Sequence, residues 1–164
     1  MLIERPTSEQ WRQLRDNCLQ TEEDMAHLNA FPYNCGRPTG DELFDALRHM
    51  SASPGCKFWL IEEKGEIVGF INFGSIIPWQ HNAFGVVIGK RFARKGYARK
   101  ALQELINRKS EFGITELNGY CNRRNTAIIK LMEFSGFKLD SSFIDRQDSE
   151  AIKYYYQGVY ALNV

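Results

Sequence analysis

The spacing of apolar residues along the chain changes character several times, and each change marks an element. Leu2 to Glu4 reads as a short first strand, and Thr7 with Gln10 forms a capping box for a helix through Trp11, Leu14 and Leu19. A second helical piece spans Glu22 to Ala30. Phe31 to Gly40, FPYNCGRPTG, holds two prolines and two glycines and is predicted to be a loop. Thr39 and Glu42 offer another capping box, for a helix carrying Leu43, Phe44, Leu47 and Met50 that ends over Ser51 to Gly55. From Lys57 the period becomes that of strands: KFWLIEE, the turn residues Lys64 and Gly65, then EIVGFINFG, the pattern of a β-hairpin. Ser75 to Asn82 is a loop.

Phe84 to Ile88 is then an apolar strand, Gly89 to Gly96 a basic turn, and a helix starts near Tyr97, with Ala98, Ala101, Leu102, Leu105 and Ile106 at helical spacing. Ile114 to Cys121 is expected as a strand, Asn122 to Asn125 as a polar run, and the next helix bears Ile128, Leu131, Met132 and Ser135 on one face until Gly136 stops it. Phe137 to Leu139 and Ala151 to Leu162 close the chain as strands. Alternation puts Tyr154 and Tyr156 on one face of the last strand and Tyr155 on the other. This order mixes hairpins with one strand–helix–strand crossover. It predicts an α/β fold with a mixed, mostly antiparallel central sheet and helices on both faces. A length of 164 residues with 43% hydrophobic composition suits a single domain, 1–164.

Charge narrows the partners. Lys and Arg number 21 against 20 Asp and Glu, so a net +1 gives no general attraction to nucleic acid or membrane. No apolar run has the length of a membrane span and the first residues lack a signal-peptide core, so a cytoplasmic protein is the expectation. Cys18, Cys35, Cys56 and Cys121 form no CxxC pair and no zinc-type spacing, so reduced buried thiols and no metal are expected. The basic turn is therefore a local feature. A strand that feeds a helix through it leaves the first helical N–H groups unpartnered at the positive end of the dipole, and Gly96 lets a ligand approach the backbone. Lys90, Arg91, Arg94, Lys95, Arg99 and Lys100 surround that point. A phosphate or pyrophosphate is the expected guest.

These residues resemble the GNAT superfamily of N-acetyltransferases. The pyrophosphate-binding motif of that family, Q/R-x-x-G-x-G/A, aligns with Ala93-Arg94-Lys95-Gly96-Tyr97-Ala98, Ala93 departing from Gln or Arg. A second motif matches Asn125, Leu131, Met132, Glu133, Gly136 and Phe137, with Ile128 where the ribosomal-protein N-terminal acetyltransferase branch has Ser. The spacing of GVVIGKRFARKGYARKAL looks most like that branch. The resemblance implies acetyl-CoA as co-substrate. It would be held by the backbone of Val86, Val87 and Ile88, by Arg94, Lys95, Gly96, Tyr97, Ala98 and Arg99, and by Asn125, which on its own reads equally as a helix N-cap. It also implies direct transfer of acetyl to a primary amine, of a small molecule or a protein N-terminus, without a covalent acyl-enzyme.

The catalytic groups are less legible. Relatives often carry Glu where this chain has Ala83, and many carry a Tyr acid where it has Met132. His81, two residues before Ala83, shares its face if the strand extends that far and is then the candidate base. Cys121 lacks a neighbouring His in sequence to activate it as a nucleophile. Acceptor recognition is expected from Phe31 to Asp41 and Ile77 to His81, where Phe31, Tyr33 and Trp79 suggest an amine with an apolar body. The expected partners are acetyl-CoA and an amine, with a homodimer left open. The competing reading is an acyl-CoA-binding regulatory module that has lost catalysis, motivated by Ala83, Met132 and Ala93.

Overall fold

A computed structural model describes residues 1–27, 39–74 and 79–158. The elements are β1 (Leu2–Ile3), α1 (Ser8–Cys18), α2 (Glu22–His27), α3 (Gly40–Ser51), β2 (Lys57–Glu63), β3 (Glu66–Phe73), β4 (Phe84–Ile88), a 3-10 turn (Lys90–Phe92), α4 (Tyr97–Asn107), β5 (Asn118–Asn122), α5 (Thr126–Phe134), β6 (Phe137–Leu139) and β7 (Ala151–Tyr156). This is the expected order. Both capping boxes form, Thr7 with Gln10 and Thr39 with Glu42. The Phe31–Gly40 loop lies outside the described residues up to position 38, as do the tail beyond 158 and residues 75–78 of the loop between β3 and β4.

The strands form an antiparallel sheet β1-β2-β3-β4 and a second antiparallel sheet β5-β7-β6. Among the described residues one parallel bridge, Ala83 to Asn118, joins them. The mixed, mostly antiparallel sheet is thus present but divided, β4 and β5 parting beyond that bridge.

Both faces of the first sheet are covered. Phe58, Leu60, Ile67 and Phe70 pack on Trp11, Leu14, Leu43 and Leu47 of α1 and α3, while Trp59, Ile61, Val68 and Ile71 join Leu102 and Leu105 of α4. Ile67 and Phe70 share a face although three residues apart, because Ile67 pairs with Glu62 and Gly69 with Ile61, leaving Val68 as an extra residue. Lys64 and Gly65 both take positive φ, as a two-residue hairpin of this twist requires.

One expected strand is shorter than its pattern. Ile114 and Leu117 are buried but irregular, and β5 starts at Asn118. Ile114 N–H bonds the Lys109 carbonyl at 2.8 Å, so this stretch finishes α4 before the chain can extend. Similarly, β7 ends at Tyr156. Its alternation holds: Tyr154 is buried, Tyr156 packs on Phe137, and Tyr155 points the other way and is exposed. Gly119 lets α5 close on β5, since a Cβ there would stand 2.3 Å from Met132 Sδ and 2.8 Å from Phe84 Cε1. Gly119→Ala is expected to lower stability by about 1 to 3 kcal/mol through overpacking, measured by urea denaturation.

Candidate functional site

The divergence of β4 from β5 opens a cavity of about 460 Å³. Its apolar wall includes Val86 and Ile88 of β4, Phe92, and Ile128, Leu131 and Phe134 of α5, and its rim carries Arg94, Arg99 and Lys130. Gly96, Tyr97, Ala98 and Asn125 complete one end. The volume lies within the range of small-molecule sites. Of the residues expected to bind the cofactor, Lys95 alone is outside the lining.

β4 meets this cavity along an edge. Gly89 N–H donates to Val68 at 2.8 Å and Gly74 N–H to Ala83 at 2.8 Å, which sets the alternation of the β3–β4 ladder. Val87 therefore turns its peptide groups to β3, and Val86 and Ile88 turn theirs toward the cavity. That corrects the expectation for Val87: it borders the cavity, but its N–H is directed into the sheet.

At the other end, Arg94 (φ 64°) and Gly96 (φ 81°) both lie in the left-handed region, curling the backbone ahead of α4. Gly96 is the N-cap and supplies no side-chain cap. Among the described residues, the N–H groups from Arg94 to Arg99 have no acceptor, whereas Lys100 N–H bonds the Gly96 carbonyl at 3.0 Å. Successive free donors in such a curl form an anion-binding concavity. The first turn of α4 has no acidic residue and holds Arg99. A cation there opposes the helix dipole, an arrangement that favours an anion rather than the isolated helix.

The six basic residues around the turn divide into two groups. Lys90 pairs with Glu23 at 3.1 Å, Arg91 with Glu66 at 3.8 Å and Lys100 with Glu63 at 2.9 Å. These serve the scaffold. Arg94 and Lys95 have no ion pair among the described residues, and Arg99 lies over the Phe134 ring at 3.9 Å. Phe134, largely exposed, was not among the expected site residues. Its signal was available, since Ala127, Lys130, Leu131 and Phe134 follow i, i+3, i+4, i+7 and so share one face of α5. Asn125 is the N-cap of that helix, its Oδ1 accepting from Ile128 N–H at 3.3 Å.

The catalytic expectations are corrected in part. β4 does not reach His81: Asn82 has φ 51° and begins a turn, so alternation from Ala83 no longer places the imidazole. The His81 side chain is exposed, while its carbonyl accepts from Asn118 Nδ2 at 2.9 Å and Tyr120 Oη at 3.3 Å. Met132 is fully buried in the core and carries no acidic proton. Burial pushes the Cys121 thiol up to about 11, and burial first, with Asp24 adding, pushes Cys18 up to about 12, so neither is a thiolate at neutral pH. Cys56 is only half-buried, against expectation. Trp79 donates to Asp145 at 3.1 Å, which ties it to the loop before β7, and Phe31 and Tyr33 lie outside the described residues. Among the described residues no group of His, Cys, Asp and Glu is arranged to hold a metal, and no helix is long and apolar enough to cross a membrane.

A parallel strand pair that splits beside a glycine-capped helix is the arrangement of an acyl-CoA N-acyltransferase fold, and sequence comparison agrees. Residues 1–138 match the Acetyltransferase (GNAT) domain, and the chain belongs to that acetyltransferase family. No curated protein gives a significant sequence match. Among solved structures, RimL, a ribosomal L7/L12 α-N-protein acetyltransferase in complex with coenzyme A, superposes with a TM-score of 0.71 at 18% identity, covering 94% of this chain and 90% of that one. A ribosomal-protein-alanine N-acetyltransferase from Brucella melitensis gives 0.66 at 18% identity over 94% and 98%. The spermidine N-acetyltransferase of Vibrio cholerae in complex with CoA and spermine gives 0.66 at 14% identity over 94% and 93%. These likenesses establish the shared fold.

Lys100 offers a test of the division between scaffold and site. Burial raises the Glu63 carboxyl, but the hydrogen bond from Lys100 and the charge of the Met1 ammonium outweigh it and leave it below its ordinary value. A depressed carboxyl contributes stability above its unfolded pKa of ~4.3, and that contribution is lost as pH falls through the folded value. Lys100→Met is expected to destabilise at pH 7 and to approach wild type near pH 3, as measured by urea midpoints at the two pH values.

Proposed function

We propose that the protein, acting as one domain over 1–164, transfers the acetyl group of acetyl-CoA directly to a primary amine, with no covalent acyl-enzyme. The observation that carries this reading is the cavity between β4, α4 and α5, which pairs an anion-binding end with an apolar, strand-edged arm. A pyrophosphate would take the free N–H groups of Arg94 to Arg99, with Arg94, Lys95 and Arg99 adding charge. Pantetheine would lie along β4 as an added strand, its amides meeting Val86. Asn125 would face it from the start of α5. The thioester would then reach toward the Ala83–Asn118 bridge, where a β4 N–H would polarise its carbonyl as charge develops on the oxygen.

An amine attacks only when neutral. An alkyl ammonium, with a pKa near ~10.4, must first lose a proton, and a positioned base is worth ~10² to 10⁴ in rate. The nitrogen then attacks the thioester carbon and the C–S bond breaks, releasing CoA thiolate. Buried thiols and the absence of a covalent step fit together here, because neither Cys18 nor Cys121 offers a nucleophile.

The opposing reading, a CoA-binding regulatory module, draws on Ala83 and on Met132, whose thioether cannot protonate the departing thiolate. Binding and turnover separate the two. Acetyl-CoA at about 100 times its Kd should add ~2.7 kcal/mol to stability, read as a thermal shift, and thiol release should follow with a panel of amines and peptides. A shift without turnover favours the regulatory module. No shift at millimolar ligand overturns both. Gly96→Val forces a branched residue into a left-handed conformation and should weaken acetyl-CoA binding roughly 5- to 30-fold by isothermal titration, since ~1 to 2 kcal/mol of strain falls on the donors themselves.

A further inference from the structure

Asn118, the first residue of β5, has 0% exposure, so a ligand cannot touch it, yet it gathers the hydrogen bonds that join the two sheets. Its backbone N–H donates to the Asn82 carbonyl at 2.8 Å, beside the bridge to Ala83. Its Nδ2 donates to the His81 carbonyl at 2.9 Å and to Glu116 Oε1 at 3.1 Å. Asn82 Nδ2 reaches the other oxygen of that carboxylate at 3.1 Å, and Tyr120 Oη donates to the same His81 carbonyl at 3.3 Å. Trp79 Nε1 donates to Asp145 Oδ2 at 3.1 Å, a buried carboxylate that also accepts from the backbone of Gln147 and Asp148. The segment from Trp79 to Asn82 is thus tied to the second sheet and to the loop before β7.

Filling space does not explain an asparagine here. Both N–H groups of its amide are committed, one to a backbone carbonyl and one to a carboxylate, which leaves Oδ1 buried with no partner among the described residues. An unmet buried carbonyl costs stability, and an apolar side chain of the same shape would avoid that cost. It would also leave the His81 carbonyl to Tyr120 alone. Asn82 takes φ 51°, a left-handed conformation that asparagine tolerates, and its turn sets where β4 starts.

β4 needs its edge held in place. The ladder with β3 fixes its register on one side, over Phe84 to Ile88. On the β5 side, the backbone supplies one bridge among the described residues. In the alternation set by the ladder, Ala83, Gly85 and Val87 face β3, and Val86 is the first residue past Phe84 to turn its peptide groups to the cavity. A misplacement of ~1 Å at a reacting centre costs up to ~10²-fold in rate, so a donor this close to its anchor is sensitive to that anchor.

We propose that Asn118 is a positioning residue for acetyl transfer: its amide holds the His81–Asn82 turn against β5 and thereby places the Val86 N–H that polarises the thioester carbonyl. The inference rests on the acetyl-transfer reading above. Asn118 touches neither substrate and acts through β4.

Isotope-edited infrared spectra of acetyl-CoA labelled at the thioester carbonyl carbon read that donor, because a hydrogen bond to the oxygen lowers the carbonyl stretching frequency. In wild type the bound band should lie below its position in buffer. Asn118→Leu should lose most of that displacement, while the Kd for acetyl-CoA by isothermal titration stays at the wild-type value, because the N–H groups of Arg94 to Arg99 lie at the opposite end of the cavity. Asn82→Gly keeps the positive φ and removes only the amide, and should lose a smaller part. Tyr120→Phe, whose bond is the longest of the set, should lose least. Leu47→Ala controls for stability: it hollows the core beneath α3 and lowers the thermal midpoint, but should leave the band where wild type has it. Wild-type displacement in both Asn118→Leu and Asn82→Gly overturns the assignment, as does an undisplaced band in wild type or an equal loss in Leu47→Ala. Where Asn118→Leu does not fold, Asn82→Gly decides alone, and a retained displacement there overturns it. Those failures leave acetyl-CoA binding intact, whereas the absence of binding to wild type defeats the underlying reading itself.

Discussion

Among the described residues, β4 and β5 are joined by one parallel bridge, at Ala83 and Asn118, and the cavity beside β4 depends on that contact. Had the two strands stayed paired, the peptide groups of Val86 would be consumed in one continuous sheet. Because they part, β4 keeps an edge beside the cavity rather than beside a neighbouring strand. The same parting leaves room for α5 to place Ile128, Leu131 and Phe134 opposite that edge.

Electrostatics complete the division of labour. The scaffold neutralises Lys90, Arg91 and Lys100 with acidic partners from α2, β3 and β2. What stays available is the charge nearest the free N–H groups of α4, on Arg94, Lys95 and Arg99. On the far face, Glu116 accepts hydrogen bonds from two amides and pairs with no cation among the described residues.

Some parts of this arrangement were legible in the chain because they depend on neighbours in sequence. The capping boxes at Thr7 and Thr39, the Lys64-Gly65 turn, the start of α4 at Tyr97 and the alternation of Tyr154, Tyr155 and Tyr156 are all local matters of φ, hydrogen bonding or period. The helix N-caps Gly96 and Asn125 are local in the same sense. The expected strand from Ile114 failed because burial alone resembles strand pattern: Ile114 and Leu117 are buried for packing, while the end of α4 claims the backbone. The face expected for His81 is not set by β4, because extending the strand by two residues ignored the turn at Asn82.

The sequence by itself determined most of the elements, their order and the glycine-containing basic turn before α4, since these follow from spacing and from the conformational freedom of single glycines. Only the tertiary structure decided that β4 and β5 separate, which peptide groups of β4 face the cavity, which basic residues are already paired, and that Glu116 and Asn118 meet Asn82 at the same point. Those outcomes rest on contacts between residues tens of positions apart, such as Asn82 with Glu116 and Lys100 with Glu63. Period and propensity carry no information about such distances.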